Sequence, residues 1–505
     1  MSTPHDRRRF FRQCAGGAAL AALGSGMGPF PSSGRAAAVP VQPRPTGVQQ
    51  FVRVRGVVRS GGRPLRDLSV TDGYSVVRTA GDGTFEFTSS SLASFVSLCL
   101  PAGYRIPRNP TGTARFYVPL DFSRPEMTAE FDLEPLAASD ENHTFFLLAD
   151  PQTQDLEETG MLRSQTAPDL RVVAERSGME CFGVGCGDIM YDRLELFPEW
   201  EQAVQEMGIP FFQVVGNHDL DQDVWGDCQS TQTFRSRFGP EYYSFDRGAV
   251  HYVVLDDVFW HSQGYIGYLT ENQLAWLAAD LRYVERGRTV VVLLHIPLLS
   301  SRYRRTGYSS PHPSTSVANR DALYELLSPF RAHVLSGHTH ESEHVFEGGV
   351  EEHIHGTVCG AWWTGPICYD GTPNGYAVYE VRGEELRWTY KATGFGFEHQ
   401  MRLYRWGADP QAPDEIVANV WNWDPRWQVV WYEDGVLKGP MARRRGLDPL
   451  SVKLHKGDSL PVKRTWVEPQ PVDHLFYAPA SRQARQIRVE VTDRFGRVYS
   501  EVLEG

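Results

Sequence analysis

Five hydrophobic runs in the middle of this chain each end on a short polar motif, and that coincidence limits the possible folds more than any bulk property. The runs FFLLA, CFGVGC, FFQVV, TVVVLL and AHVLS lead into Asp150-Pro151-Gln152, Gly187-Asp188, Gly216-Asn217-His218-Asp219, His295 and Gly337-His338-Thr339-His340. Short apolar runs bounded by Gly or Pro predict buried strands. In open α/β sheets, ligands gather at the carboxyl ends of strands. Asp, Asn, Gln and His converging there would supply the oxygen and imidazole ligands that a divalent metal needs.

The surroundings of these motifs predict an α/β arrangement over about residues 142–392. Glu271 to Leu281 places Leu274, Leu277 and Leu281 on one helical face, and Asp321 to Leu327 reads as a second short helix. Strand–helix–strand repeats of this kind imply helices layered on sheets. Upstream, residues 49–137 alternate apolar and polar, with turns at Gly61-Gly62, Asp72-Gly73 and Asp82-Gly83, which predicts a small β-sandwich. Residues 395–505 lose the helical rhythm and predict a third, β-rich domain. Its Trp421, Trp423, Trp427 and Trp431 are expected as core packing along a strand rather than as a stacking platform. A chain of 505 residues accommodates two or three such domains. It contains no apolar run long enough to span a bilayer. The net charge of −12 argues against nucleic acid as the main partner.

The N-terminus predicts an address label. Arg7-Arg8-Arg9-Phe10-Phe11 precedes a weakly apolar, Ala- and Gly-rich stretch, and Ala36-Ala37-Ala38 offers a cleavage site. Residues 1–38 resemble a twin-arginine (Tat) signal peptide, which implies a periplasmic or secreted protein. Residues 39–48 are expected as a Pro-containing linker. The cysteines form no C-x-x-C pair and no disulfide framework, and Cys181 and Cys186 are expected in the core.

A two-metal centre needs a bridging anion and several terminal ligands on a rigid sheet. Asp188 suits the bridge, being a carboxylate just after a glycine at a strand end. Glycines beside Asp188, Asn217 and His338 would let the backbone approach closely. His338 and His340 are two residues apart, so in extended backbone both would face one side.

The ordered set resembles the calcineurin-like metallophosphoesterases, whose pattern is D-x-H, GD, GNH(D/E), a lone H and GHxH on a β-sandwich flanked by helices. The segment GVVRSGGRPLRDLSVTDGYSVVRTAGDGTFEF resembles carboxypeptidase-regulatory-like, transthyretin-type domains appended to exported enzymes. The family resemblance implies two divalent metal ions (Mn, Mg, Fe or Zn). Asp150, Gln152, Asp188 and His340 would hold one ion, and Asp188, Asn217, His295 and His338 the other. It also implies that a metal-bridging hydroxide attacks a phosphomonoester or phosphodiester, with His218 protonating the leaving oxygen. The expected substrate is a phosphorylated small molecule or an envelope-derived phosphoester.

The chain departs from the family pattern twice. Gln152 stands where the common pattern has His, and an amide oxygen suits Mn or Mg better than Zn or Fe. Tyr191 stands where an Asp often orients the catalytic histidine, which leaves Asp192, Asp219 or a backbone group as the partner of His218. Gln152 also raises a competing reading: an envelope protein that binds phosphorylated glycans or lipids through a degenerate site. His251 is expected to be structural. Arg302, Arg304 and Arg305 divide evenly between substrate contact and plain surface, and Trp362, Trp363, Asp370 and Asn374 are expected as a pocket wall.

Overall fold

Alternate residues of the central strands are buried on opposite faces, which is why their sequences are apolar without interruption. The computed structural model describes residues 49–505; the signal expected over 1–38 and the linker over 39–48 lie outside the described residues. In strand Asn142–Leu148, Phe145 and Leu147 point between two sheets, where they join Tyr252, Val254, Val291, Leu293 and Leu335. Phe146 and Leu148 point the other way, into a second core with Leu170 and Trp200 from helices Ala167–Ser177 and Phe197–Met207. The outer face of the second sheet repeats the arrangement, with Val290, Val292 and Val334 packed against Trp276, Leu277 and Leu323. Each such large side chain contributes about 1.5–3 kcal/mol on burial.

The first sheet runs in the order Phe211–Val214, Glu180–Cys186, Asn142–Leu148, Gly375–Arg382, Glu385–Ala392. Its first three strands are parallel and its last two antiparallel. The second sheet runs Tyr243–Arg247, Val250–Val254, Thr289–Leu293, Arg331–Ser336, Val350–Ile354, Glu343–Glu347, with the inner members parallel. Every motif-bearing loop therefore leaves the carboxyl end of a parallel strand.

Helix Glu271–Asp280 is capped by Thr270 and turns the expected face inward: Leu277 and Leu281 are buried and Leu274 packs against the same core, but Gln273 and Trp276 are enclosed as well. The reason is a neighbour the periodicity could not show. The Trp276 indole N–H donates to Thr71 of the N-terminal region at 3.1 Å, which draws that side of the helix inward.

The flanking regions are both β-rich. In the N-terminal one, Phe51–Ser60 pairs with Thr84–Ser90 and, in parallel, with Glu126–Asp132, while Ser69–Thr71, Val76–Arg78, Phe95–Leu98 and Tyr117–Pro119 form a second sheet. Its core is continuous with the central one: the Phe116 and Tyr243 rings lie 4.4 Å apart. The C-terminal region contains antiparallel sheets around Ile416–Asn419 and Val472–Ala478, and around Gln428–Glu433 and Gln486–Thr492. Trp427 and Trp431 are buried in its core with Trp423 packed against it, and Trp421 is buried as well. Only Trp431 lies on a strand, Gln428–Glu433, so the expectation of packing along a strand is corrected for the other three. No helix among the described residues is long and apolar enough to cross a membrane.

Buried polar chains tie the layers together. His333 Nδ1 donates to His353 Nε2 at 3.3 Å, and His353 Nδ1 donates to the Tyr379 hydroxyl at 2.8 Å. Tyr379 donates to His355 Nε2 at 2.8 Å, and His355 Nδ1 donates to the Ser336 carbonyl at 2.9 Å. This direction satisfies each link when the imidazoles are neutral. Burial, the largest influence on all three, pulls their pKa values down, to about 4 for His333 and His355.

His251 is buried and held oppositely. Its Nδ1 lies 2.9 Å from Asp246 and its Nε2 3.0 Å from Asp280. Burial lowers its pKa, but the two carboxylates outweigh that and raise it from 6.5 to about 9. A raised folded-state pKa gives stability that is complete below 6.5 and lost as pH rises through about 9. His251→Gln should therefore lose about 1–3 kcal/mol of stability relative to wild type at low pH, and the difference should shrink across that window. Urea unfolding of both proteins from pH 6 to pH 10 measures it; a gap independent of pH would contradict the ion-pair account.

Candidate metal centre

The seven expected metal ligands and His218 come together at one end of the central sandwich. His295 Nε2 lies 3.2 Å from Asp188 Oδ1, 3.2 Å from Asn217 Oδ1 and 3.2 Å from His338 Nδ1. On the other side of Asp188, the Gln152 amide lies 3.0 Å from its Oδ2. His340 Nε2 faces Asp150 Oδ1 at 3.5 Å. Asp188 is thus shared between two clusters, one built on His295, His338 and Asn217, the other on Asp150, Gln152 and His340.

The three histidines are oriented alike. His295 Nδ1 donates to the Cys186 carbonyl at 3.1 Å, His338 Nε2 to the Ser314 carbonyl at 2.7 Å, and His340 Nδ1 to the Gly360 carbonyl at 2.7 Å. Anchoring one ring N–H on a carbonyl leaves the other nitrogen's lone pair turned toward the centre, the usual arrangement for a metal-ligating imidazole. Asp150 Oδ1 and His340 Nε2 are buried without hydrogen-bond partners. Leaving such groups unpaired is costly, and a cation between them satisfies both. Burial opposes ionisation of Asp188, yet His295, His218 and His338 hold its carboxyl well below the usual range. The residues present fit a pair of divalent ions.

The backbone is bent to make this possible. Asp150, Gln152, Asp188, His338 and His340 all have φ between 44° and 68°, a region that non-glycine residues enter at a cost of about 1–3 kcal/mol each. The expectation that His338 and His340 alternate along extended backbone is therefore corrected. They lie in the turn after Arg331–Ser336, and its left-handed residues direct them to different clusters. Gly216 and Gly337 leave no room for a side chain. A Cβ on Gly216 would stand 1.9 Å from the Asp188 nitrogen, and one on Gly337 2.4 Å from Asp150 Oδ2.

Carboxylates stitch these loops together through backbone N–H groups. Asp150 accepts from His338 at 2.9 Å and Asp188 from His218 at 2.8 Å. Asp219 accepts from Ile189, Met190 and Gly216 at 2.9–3.1 Å, so it braces the loops and is not the partner of His218. Asp192 is that partner: its Oδ1 lies 2.7 Å from His218 Nδ1. The Tyr191 ring stacks on the imidazole at 4.3 Å. Burial works against protonation of His218, but Asp188 and Asp192 outweigh it and raise its pKa.

Asp257, Cys359 and Ser314 contribute without any motif to mark them, beside residues expected as a pocket wall. Asp257 accepts from the backbone of His295 and Ile296 at 3.1 and 3.2 Å, and its only sequence signal was a strand ending in two acids. Cys359 Sγ lies 3.7 Å from His340 Nδ1 and 3.8 Å from Gln152 Oε1. Ser314 enters through its carbonyl, which no side-chain pattern reveals. Trp362 stacks on His340 at 4.0 Å, Trp363 donates to the Pro151 carbonyl, and Asp370 pairs with His474 away from the ligands. Arg305 is buried against Glu341 and Glu343, and Arg302 donates to Tyr369.

Three family models match the chain: N terminal of Calcineurin-like phosphoesterase over residues 52–136, Calcineurin-like phosphoesterase over 184–342, and C terminal of Calcineurin-like phosphoesterase over 352–499. The chain belongs to the calcineurin-like phosphoesterase family. Calcineurin-like phosphoesterases hold two divalent metal ions. The catalytic match begins beyond Asp150 and Gln152, and the C-terminal match includes strands Gly375–Arg382 and Glu385–Ala392 of the central sheet. Purple acid phosphatase 23 of Arabidopsis thaliana is 30% identical over 183 residues, which are 33% of this chain and 37% of the plant protein. Serine/threonine-protein phosphatase CPPED1 of Mus musculus is 27% identical over 172 residues, 32% of this chain and 54% of its own length. The chain thus spans about a third to a half of these relatives. A dimetal phosphatase from Danio rerio aligns with a TM-score of 0.35 and 17% identity, covering 50% of this chain and 96% of that one.

Gln152 departs from the pattern in one further respect. Its amide nitrogen, not its oxygen, faces Asp188, while Oε1 lies near Cys359. Ligation requires the amide to turn end for end, a movement that leaves its shape unchanged. Gln152→His should shift metal uptake from Mn or Mg toward Zn, because imidazole nitrogen binds borderline ions better than amide oxygen does. Elemental analysis after loading from equimolar Mn and Zn measures this; an unchanged ratio would place Gln152 outside the ligand set.

Proposed function

We propose that this protein is an exported, dinuclear metal-dependent hydrolase of a phosphomonoester or phosphodiester. The observation that carries the reading is the matched orientation of His295, His338 and His340. Each is anchored on a carbonyl and turns its free nitrogen toward a cluster containing Asp188 or the unpaired Asp150 oxygen. Asp150, Gln152, Asp188 and His340 would hold one ion, and Asp188, Asn217, His295 and His338 the other. When bound, such a pair polarises phosphoryl oxygens and lowers the pKa of water at the site.

The chain's own groups supply the rest. Asp192 fixes the His218 ring through Nδ1, which leaves Nε2 as the atom that hands a proton to the leaving oxygen. Asp188 gathers both clusters, and its contact with the His218 backbone sets the proton donor beside them. A phosphorylated small molecule, exported or derived from the envelope, is the substrate class that agrees with this site. Export is supported by Arg7-Arg8-Arg9 and by Ala36-Ala37-Ala38.

His218→Ala should retain two ions and slow turnover by roughly 10²–10⁴-fold, with smaller losses on esters whose leaving groups need no proton. Asp188→Asn should lose metal first, since a neutral amide replaces a carboxylate serving two cations. Metal content and phosphate release from the purified mature protein measure both effects. Equal metal loss in the two variants would contradict the division. A wild-type protein with one ion, silent on monoesters and diesters, would favour the binding-protein reading instead. Replacing Arg7, Arg8 and Arg9 by Lys should block export, and normal export of that variant would refute the twin-arginine assignment.

A further inference from the structure

The chain between helix Pro449–Lys456 and strand Val472–Ala478 carries one arginine into the midst of the loops around the metal centre. The Arg464 side chain is only 7% exposed. Its Nη1 donates to Glu158 Oε1 at 2.5 Å and to the Trp362 carbonyl at 2.6 Å, and its Nη2 donates to Glu158 Oε2 at 3.0 Å and Gln154 Oε1 at 3.3 Å. The guanidinium carbon lies 5.5 Å from the centre of the Tyr191 ring. That ring in turn stacks on His218 at 4.3 Å, with 16° between the planes.

These contacts join three loops. Gln154 and Glu158 follow Gln152, Tyr191 follows Asp188, and Trp362 stacks on His340 at 4.0 Å. Lys463 adds a contact of 2.8 Å to Asp155, the cap of the helix that carries Glu158. Arg464 itself has φ of 54°, a conformation retained because these contacts over-determine it. The planar fork pairs with both Glu158 oxygens while also reaching the Trp362 carbonyl and Gln154, a geometry that a lysine ammonium does not reproduce. Asp192 fixes the in-plane direction of the His218 imidazole, but a hydrogen bond alone leaves the ring free to tilt. The Tyr191 face removes that freedom if Tyr191 is itself held.

We propose that Arg464 is a positioning residue for the proton donor: through Tyr191 it holds the His218 imidazole flat and aimed, so the C-terminal region completes the active site. The inference rests on the phosphoesterase reading of the same centre. It requires no contact between Arg464 and substrate.

The test uses the full mature protein with Arg464→Met, Arg464→Lys and Tyr191→Ala, assayed on an alkyl phosphate and on a 4-nitrophenyl phosphate. Arg464→Met should lower kcat on the alkyl ester by roughly 10–100-fold with KM nearly unchanged, and on the nitrophenyl ester by less than about threefold. Arg464→Lys should fall between wild type and Arg464→Met. The double variant Arg464→Met/Tyr191→Ala should be no worse than the poorer single variant, because both act through one contact. An independent readout is the ¹⁵N-histidine spectrum, in which the Nδ1–H signal of His218 bonded to Asp192 should broaden in Arg464→Met and in Tyr191→Ala. Equal losses on both esters, additive single effects, or an unchanged imidazole signal would each overturn the proposal. Should Arg464→Met fail to fold, Tyr191→Ala and Arg464→Lys make the same comparison. A wild type inactive on every phosphoester would end the phosphoesterase reading, while the imidazole signal would still decide the positioning role.

Discussion

Buried carboxylates accepting backbone N–H groups from neighbouring loops are the constraint on which the rest of this protein depends. Asp150 grips the loop of His338, Asp188 that of His218, Asp219 those of Ile189 and Gly216, and Asp257 that of His295. Asp219 also holds Gly216 of its own loop, but the other contacts each tie one loop to an acid from another. Burial pushes Asp219 and Asp257 up to about 7 even with these bonds, and a desolvated carboxylate that lost them would be more expensive still. The ligand geometry is therefore a property of paired loops, which the parallel strands bring together.

The division of labour between scaffold and site was largely legible in the sequence. Uninterrupted apolar runs revealed strands buried on both faces, and the polar motifs marked their carboxyl ends, because both signals are local in the chain. The alternating, turn-rich flanks disclosed the β regions for the same reason. What stayed hidden depends on distant partners or on backbone conformation. Spacing alone assigned His338 and His340 to extended chain, while the structure bends both into left-handed φ. Nothing local distinguishes Asp192 from Asp219, since what separates them is which loop each faces. Cys359, Ser314 and Trp276 owe their roles to segments far away in sequence, and Arg464 stands more than a hundred residues beyond the last ligand.

The two flanking regions meet the central sandwich in different ways. The N-terminal region shares an apolar core with it, through contacts such as Phe116 with Tyr243 and Phe212, and so supports it mechanically. The C-terminal region adds guanidinium contacts, Arg494 with Glu351, Arg305 with Asp473 and Arg464 with Glu158, to apolar ones such as Phe495 with Trp388 and Trp466 with Trp362. Apolar contact is indifferent to small displacements, whereas forked guanidinium contacts fix orientation. The second kind is what a site needing an aimed imidazole would draw on.

The left-handed backbone at the five ligand positions has an evolutionary consequence. A residue there is judged twice, once for its side-chain donor and once for its tolerance of positive φ. Glycine and asparagine satisfy the second criterion well, and β-branched residues such as threonine or valine fail it whatever they could coordinate. Drift at these positions, once catalysis is no longer selected, should thus run toward glycine and asparagine, and the decayed descendants should be sturdier than their active ancestors. Of the five, Asp150, Asp188, His338 and His340 are of types that tolerate positive φ comparatively well, so Gln152 is the residue whose backbone costs most for the donor it brings.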